Sequence, residues 1–125
     1  MGLSKYSFSK KERLSGKKKI EGLFKTGSSF YLDNFQVRHM PTDDSGPHQV
    51  LISVPKKIFK RAVDRNLLKR RIREAYRLNK HLITDISEST PLYIGFIYLS
   101  KQILTFHEIE AQLIKCLERL GTSYK

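Results

Sequence analysis

Apolar residues change their spacing several times along this chain, and each change marks an element. From Lys17 to Lys25 the run KKKIEGLFK sets Ile20, Leu23 and Phe24 at i, i+3 and i+4, which predicts a short amphipathic helix ended by Gly27. Gly22 weakens its interior. The next segment, SSFYLDNFQVRHM, is rich in aromatic and β-branched residues. From Phe35 it alternates Phe35, Val37, His39 against Gln36, Arg38, Met40, the period of a strand. The turn formers PTDDSGP, from Pro41 to Pro47, predict a hairpin loop into a second strand, Gln49 to Val54. Pro55, with no N–H for a ladder, closes that strand.

A long helix is predicted from Ala62 to Asn79, with Leu68, Ile72, Ala75 and Tyr76 at i, i+4, i+7 and i+8 on its packing side. A polar loop is expected next. Pro91 then precedes LYIGFIYL, a near-continuous apolar run that suits a strand covered on both faces. Thr105 and Glu108 have capping-box spacing, and the stripe Ile109, Leu113, Cys116, Leu117, Leu120 predicts a last helix stopped by Gly121. The first residues hold only Tyr6 and Phe8 as aromatics and show no sustained period. Residues 1–15 are therefore expected to form a flexible basic arm ahead of a single domain, 16–125. The order helix, strands, basic helix, strand, helix describes an α+β fold with helices packed on a small sheet.

Composition narrows the function. The 125 residues suit one domain, and 24 Lys and Arg against 12 Asp and Glu give a formal charge of +12, which calls for a polyanionic partner. The single cysteine, Cys116, excludes an intrachain disulfide and a multi-thiolate metal site, and its helical spacing assigns it to the core. No apolar run approaches the roughly 18 residues of a membrane span, and the first residues lack an h-region, so a cytoplasmic protein without a membrane partner is expected.

The charge is not spread evenly. Turning AVDRNLLKRRIREAYRLN through about 100° per residue brings Asn66, Lys69, Arg70, Arg73 and Arg77 onto one arc. Lys69 with Arg73, and Arg73 with Arg77, are like-charge i, i+4 pairs, which cost a few tenths of a kcal/mol unless an external anion neutralises them. Guanidinium groups can hold two phosphate oxygens or stack on a base, and Asn66 can read a 2′-OH, so the stripe points to folded RNA.

These residues also carry a family resemblance. Ser53-Val54-Pro55-Lys56-Lys57 followed by Ala62-Val63-Asp64-Arg65-Asn66-Leu67-Leu68-Lys69-Arg70-Arg71-Ile72-Arg73-Glu74 resembles the signature of the bacterial ribonuclease P protein component. Arg13 to Phe30, RLSGKKKIEGLFKTGSSF, resembles that family's first helix and glycine turn. Three departures from the pattern stand out: Leu67 replaces the second arginine of an Arg-Asn-Arg triplet, Ile58-Phe59-Lys60-Arg61 replaces a small glycine turn, and Ile20 stands where an aromatic often occurs.

The resemblance implies a roughly four-stranded mixed sheet with a left-handed β-α-β crossover through the basic helix. It also implies a subunit of the ribonuclease P endoribonuclease, in which a catalytic RNA and its Mg2+ carry the chemistry. Lys56, Lys57, Arg65, Asn66, Lys69, Arg70, Arg73 and Arg77 would then bind that RNA. Lys17, Phe24, Tyr31, Phe35, Gln36 and Arg38 are candidates for the 5′ leader of precursor tRNA, where a basic channel with aromatic platforms would suit a single strand.

No catalytic or metal-binding side chain is expected on the protein itself. His39, His48, His81 and His107 are scattered, and Asp43 and Asp44 read as turn chemistry. A ribosomal or double-stranded RNA binder would share the charge and element order. A helix-turn-helix DNA binder would need a second helix across a tight turn, which Pro55 and the polar loop do not provide, so no DNA partner is expected. A lone metal-dependent nuclease would need an acidic or histidine cluster.

Overall fold

Strand β4 (Leu92–Tyr98) organises the molecule, and all seven of its residues are buried, as its apolar run predicts. The structure is a computed structural model and describes residues 8–124. Helix α1 (Lys17–Thr26) leads into β1 (Ser28–Leu32) and β2 (Phe35–Pro41). Strand β3 (Gln49–Ser53) leads into α2 (Ala62–Asn79), followed by a 3-10 turn (Lys80–Ile83), α3 (Thr84–Ser89), β4 and α4 (Phe106–Ser123).

The strands form one mixed sheet in the order β1-β2-β4-β3. β4 runs antiparallel to β2 and parallel to β3. Parallel neighbours cannot share a hairpin, so α2 lies in the connection between β3 and β4.

The two sheet faces bury different cores. Phe35, Val37, Val50, Leu92, Ile94, Phe96 and Tyr98 form the main core with α2 and α4, whose Leu68, Ile72, Ile109, Leu113 and Cys116 are fully buried. Burial pushes the Cys116 thiol up to about 12, so it is packing material and not a nucleophile. On the opposite face Leu23 of α1 packs with Leu14 and Tyr93. Gly95 keeps that helix close, since a Cβ there would lie 3.2 Å from Leu23 Cδ2.

Helix α2 spans Ala62–Asn79 as expected, and Thr105 caps α4 by accepting the Glu108 N–H at 3.2 Å. Other expectations need correction. The run after Gly27 is two strands, because Asp33 adopts a φ of 52° and the ladder pairs Leu32 with Phe35 across a two-residue turn. Pro41 to Pro47 is not a hairpin loop. β4 occupies the edge of β2 that β3 would need, pairing Pro41 with Leu92.

The expected polar loop after Asn79 instead contains the 3-10 turn and α3, anchored by fully buried Ile83. Helix α4 runs through Gly121 to Ser123, and the Thr122 and Ser123 hydroxyls donate back to the Glu118 and Arg119 carbonyls.

The expected arm over 1–15 divides in two. Residues 1–7 lie outside the described residues, while residues 8–15 pack on the domain. Leu14 is buried and donates its N–H to Val50 O at 2.9 Å, and Phe8 stands edge-on to Tyr76 with ring centroids 5.7 Å apart. A 3-10 turn, Lys10–Glu12, buries Glu12 against Lys80, whose Nζ lies 2.6 Å from the carboxylate.

Candidate nucleic-acid interface

Helix α2 is held as a fixed platform. Its inner face, Leu68, Ile72, Ala75 and Tyr76, is buried against the sheet and α4. Two polar contacts tie its flank to the α4 region: Arg71 Nη1 donates to Leu104 O at 2.6 Å, and Asn79 Nδ2 donates to Glu110 Oε2 at 3.0 Å. On the outer face Asn66, Lys69, Arg70 and Arg73 have no side-chain hydrogen bond or ion pair among the described residues. Of the like-charge pairs predicted for this stripe, Lys69 with Arg73 is therefore left without local neutralisation, while Arg77 has an acid beside it.

Not every arginine of the stripe is equally available. Arg77 is held by Glu74, with Nη2 to Oε2 at 2.9 Å, which lowers the Glu74 pKa. Arg65 donates from Nη1 to Phe59 O at 2.7 Å and Lys60 O at 2.8 Å, fastening the turn that precedes the helix. In that turn Lys56 and Lys57 are exposed, and Phe59 is buried with its ring 6.0 Å from that of Tyr98. The departure at Ile58 to Arg61 thus has a packing reason: an aromatic anchor pins the turn. A groove of about 500 Å3 runs beside Arg70, Arg73 and Arg77, with Phe8, Arg13 and Phe106 also in its walls.

The sheet face beside α1 gathers a second set. Strand pairing sets Tyr31 opposite Gln36 and Ser29 opposite Arg38. Tyr31 is 65% exposed and Phe24 39%. The Arg38 guanidinium lies 5.1 Å from the Phe24 ring centroid and donates to Phe24 O at 3.0 Å, so it caps the C-terminal end of α1 while covering one ring. Its Nε is buried without a hydrogen-bond partner among the described residues. Lys17 is exposed but opens α1, some 10 Å along the helix from Phe24.

Phe35 is the correction in this set. It is fully buried against Tyr98, at 5.7 Å between centroids, and has no face left for a base. The alternation that set it opposite Gln36 and Arg38 gave two faces without saying which was inward.

Sequence reasoning missed Lys10, Lys11, Arg13 and Lys19, which line a basic groove outside α2: the first fifteen residues lack a period, and Lys19 joins them only through the fold. Two signals were present: Ser9 and Glu12 at capping-box spacing, and the isolated apolar Leu14. In the fold Ser9 N–H donates to Glu12 Oε2 at 2.7 Å.

His48 and Asp44 have structural partners. His48 Nδ1 accepts the Leu92 N–H at 3.0 Å, which leaves Nε2 to donate to Ile83 O at 2.8 Å; burial lowers its pKa. Asp44 is held down to about 2 by Tyr93 Oη at 2.7 Å, then by Lys19 at 3.0 Å and Gln49 at 3.2 Å. Among the described residues no three His, Cys, Asp or Glu side chains come together in a way that would hold a metal ion. Among the described residues no helix is long and apolar enough to cross a membrane.

Comparison with known proteins gives the geometry a family. A family model described as Ribonuclease P matches residues 8–121. The ribonuclease P protein component of Porphyromonas gingivalis strain W83 is 37% identical over 123 residues, covering 93% of this chain and 88% of that protein. The one from Petrotoga mobilis is 31% identical over 121 residues, covering 91% and 95%. Among solved structures, the Thermotoga maritima RNase P protein superposes with a TM-score of 0.72 at 27% identity, over 86% of this chain and 96% of that one. The Staphylococcus aureus RNase P protein shares the fold, with a TM-score of 0.71 at 23% identity over 91% and 98%. A family match from Phe8 into the last turn of α4, on a mixed sheet that carries an outward basic helix, shows that the chain belongs to the ribonuclease P protein family.

Proposed function

We propose that the chain binds the catalytic RNA of ribonuclease P through the outer face of α2 and holds the 5′ leader of precursor tRNA on the sheet face beside α1. The RNA carries the hydrolysis. One observation supports this most directly: Asn66, Lys69, Arg70 and Arg73 stand on a rigidly packed helix with no hydrogen-bond or ion-pair partner among the described residues. Phosphate is the anion that such a stripe fits, and arginine suits it because the guanidinium can engage two oxygens.

The leader reading rests on Phe24, Tyr31, Gln36 and Arg38, which share one face and combine stacking surfaces with a cation. Arg38 acts there partly by positioning Phe24. Mg2+ would act with the RNA. The protein would work in the cytoplasm, with precursor tRNA as its substrate and no DNA partner.

Reconstitution tests the proposal. The purified chain is added to its cognate ribonuclease P RNA at low magnesium, and cleavage of precursor tRNA is followed. The expected result is cleavage by the mixture and by neither component alone. No stimulation by the protein would reduce the assignment to generic RNA binding.

A further inference from the structure

We propose that the catalytic RNA continues from α2 across Arg13 onto a second basic surface formed by Lys10, Lys11 and Lys19, so that the protein presents one bent cationic track. The inference rests on the reading that α2 binds this RNA, and it adds an end of the molecule that the α2 pattern does not include.

Arg13 is the joint. It lines the groove beside Arg70, Arg73 and Arg77, and it also lines a larger groove of about 850 Å3 between the Lys10–Glu12 turn, the start of α1 and the segment from Asp44 to Gln49. A smaller cleft over Val50 to Ile52, at the outer edge of the sheet, holds Arg13 and Arg73 together. The Arg13 guanidinium rests 5.3 Å from the Phe8 ring centroid, which directs it along this path.

Charge is separated by depth. In the run Lys10-Lys11-Glu12-Arg13 the one acid turns inward, where it is 6% exposed and pairs with Lys80 at 2.6 Å. Lys10, Lys11 and Arg13 are left exposed with no acidic partner among the described residues. The acid that lines this second groove is Asp44, already bonded to Lys19, Tyr93 and Gln49. Four cations therefore face the groove against one engaged carboxylate.

The backbone beneath them is fixed by the Glu12 to Lys80 pair, the Ser9 N–H to Glu12 bond and buried Leu14. A fixed cationic surface binds phosphate with less ordering cost than a free arm. Lysine predominates, so the contacts are to phosphate charge and not to base edges.

The test measures the affinity of the full chain for the cognate catalytic RNA over a series of salt concentrations. Three proteins are compared: the unaltered chain, Arg70→Ala with Arg73→Ala, and Lys10→Ala with Lys11→Ala and Arg13→Ala. Each lost phosphate contact lowers the slope of log affinity against log salt by about 0.7 to 0.9, so the triple variant is expected to lose about two units of slope at an unchanged melting temperature. A triple variant that keeps the full slope while the α2 variant loses its share overturns the track and leaves the α2 reading intact. If neither slope moves, the α2 reading fails, and the track with it.

Discussion

Among the described residues Arg70 and Arg73 have no hydrogen bond or ion pair, whereas Arg71 and Arg65 are bonded to backbone carbonyls. The two kinds of arginine should separate on substitution. Arg70→Ala or Arg73→Ala is expected to reduce the salt dependence of RNA binding by about one contact each, with the melting temperature unchanged. Arg71→Ala is expected to lower stability by about 1.5 kcal/mol, measured by urea unfolding, because a charged side-chain bond to Leu104 O is lost. The outward stripe was legible from its 3.6-residue spacing. Which arginines were already occupied was not, since Leu104 and Phe59 belong to other parts of the chain. Gly27 shows a similar limit: it was read as a helix stop, yet its φ of −70° needs no glycine. The requirement is space, because a Cβ there would lie 2.4 Å from Leu23 O. Gly27→Ala should destabilise the protein by about 1 to 3 kcal/mol in the same assay.

Among the elements, the segment from Phe8 to Ser15 departs most from its sequence-based expectation. Its lack of period suggested mobility, but one buried ion pair and one buried leucine seat it. Removing one partner of such a pair leaves the other charge buried. Glu12→Ala is thus expected to cost about 3 kcal/mol or more and to raise amide exchange in residues 8–15, read by hydrogen exchange mass spectrometry. Unchanged exchange would mean that Phe8 and Leu14 hold the segment alone. Helices α1, α2 and α4 and strand β4 were legible because each has a strong period or an unbroken apolar run. The β1–β2 turn was hidden inside a strand-like run, and the neighbour of β2 could not be read locally, since β4 lies far along the chain. The leader face inherits that limit: Ser29 and Ile97 join it only through strand pairing.

Across the whole molecule, two buried histidines link stability to pH. Burial lowers the pKa of both His39 and His48, and His48 must stay neutral because its Nδ1 accepts a backbone N–H. A group with a folded pKa below its unfolded value of 6.5 contributes stability above 6.5, and that contribution is lost as pH falls through the folded value. The urea midpoint should therefore drop between about pH 7.5 and pH 5.5, and His48→Gln should shrink that drop. A midpoint equally steep in pH after the substitution would assign the effect elsewhere. The strand order carries a different consequence, for the ribosome. The central strand is made last, so a nascent chain that has completed β3 and α2 owns a β1–β2 hairpin and a basic amphipathic helix with no sheet to lie on. Until Tyr98 emerges, the apolar side of α2 and the open edges of β2 and β3 stay available to chaperones or to other chains, and synthesis rate sets how long that exposure lasts.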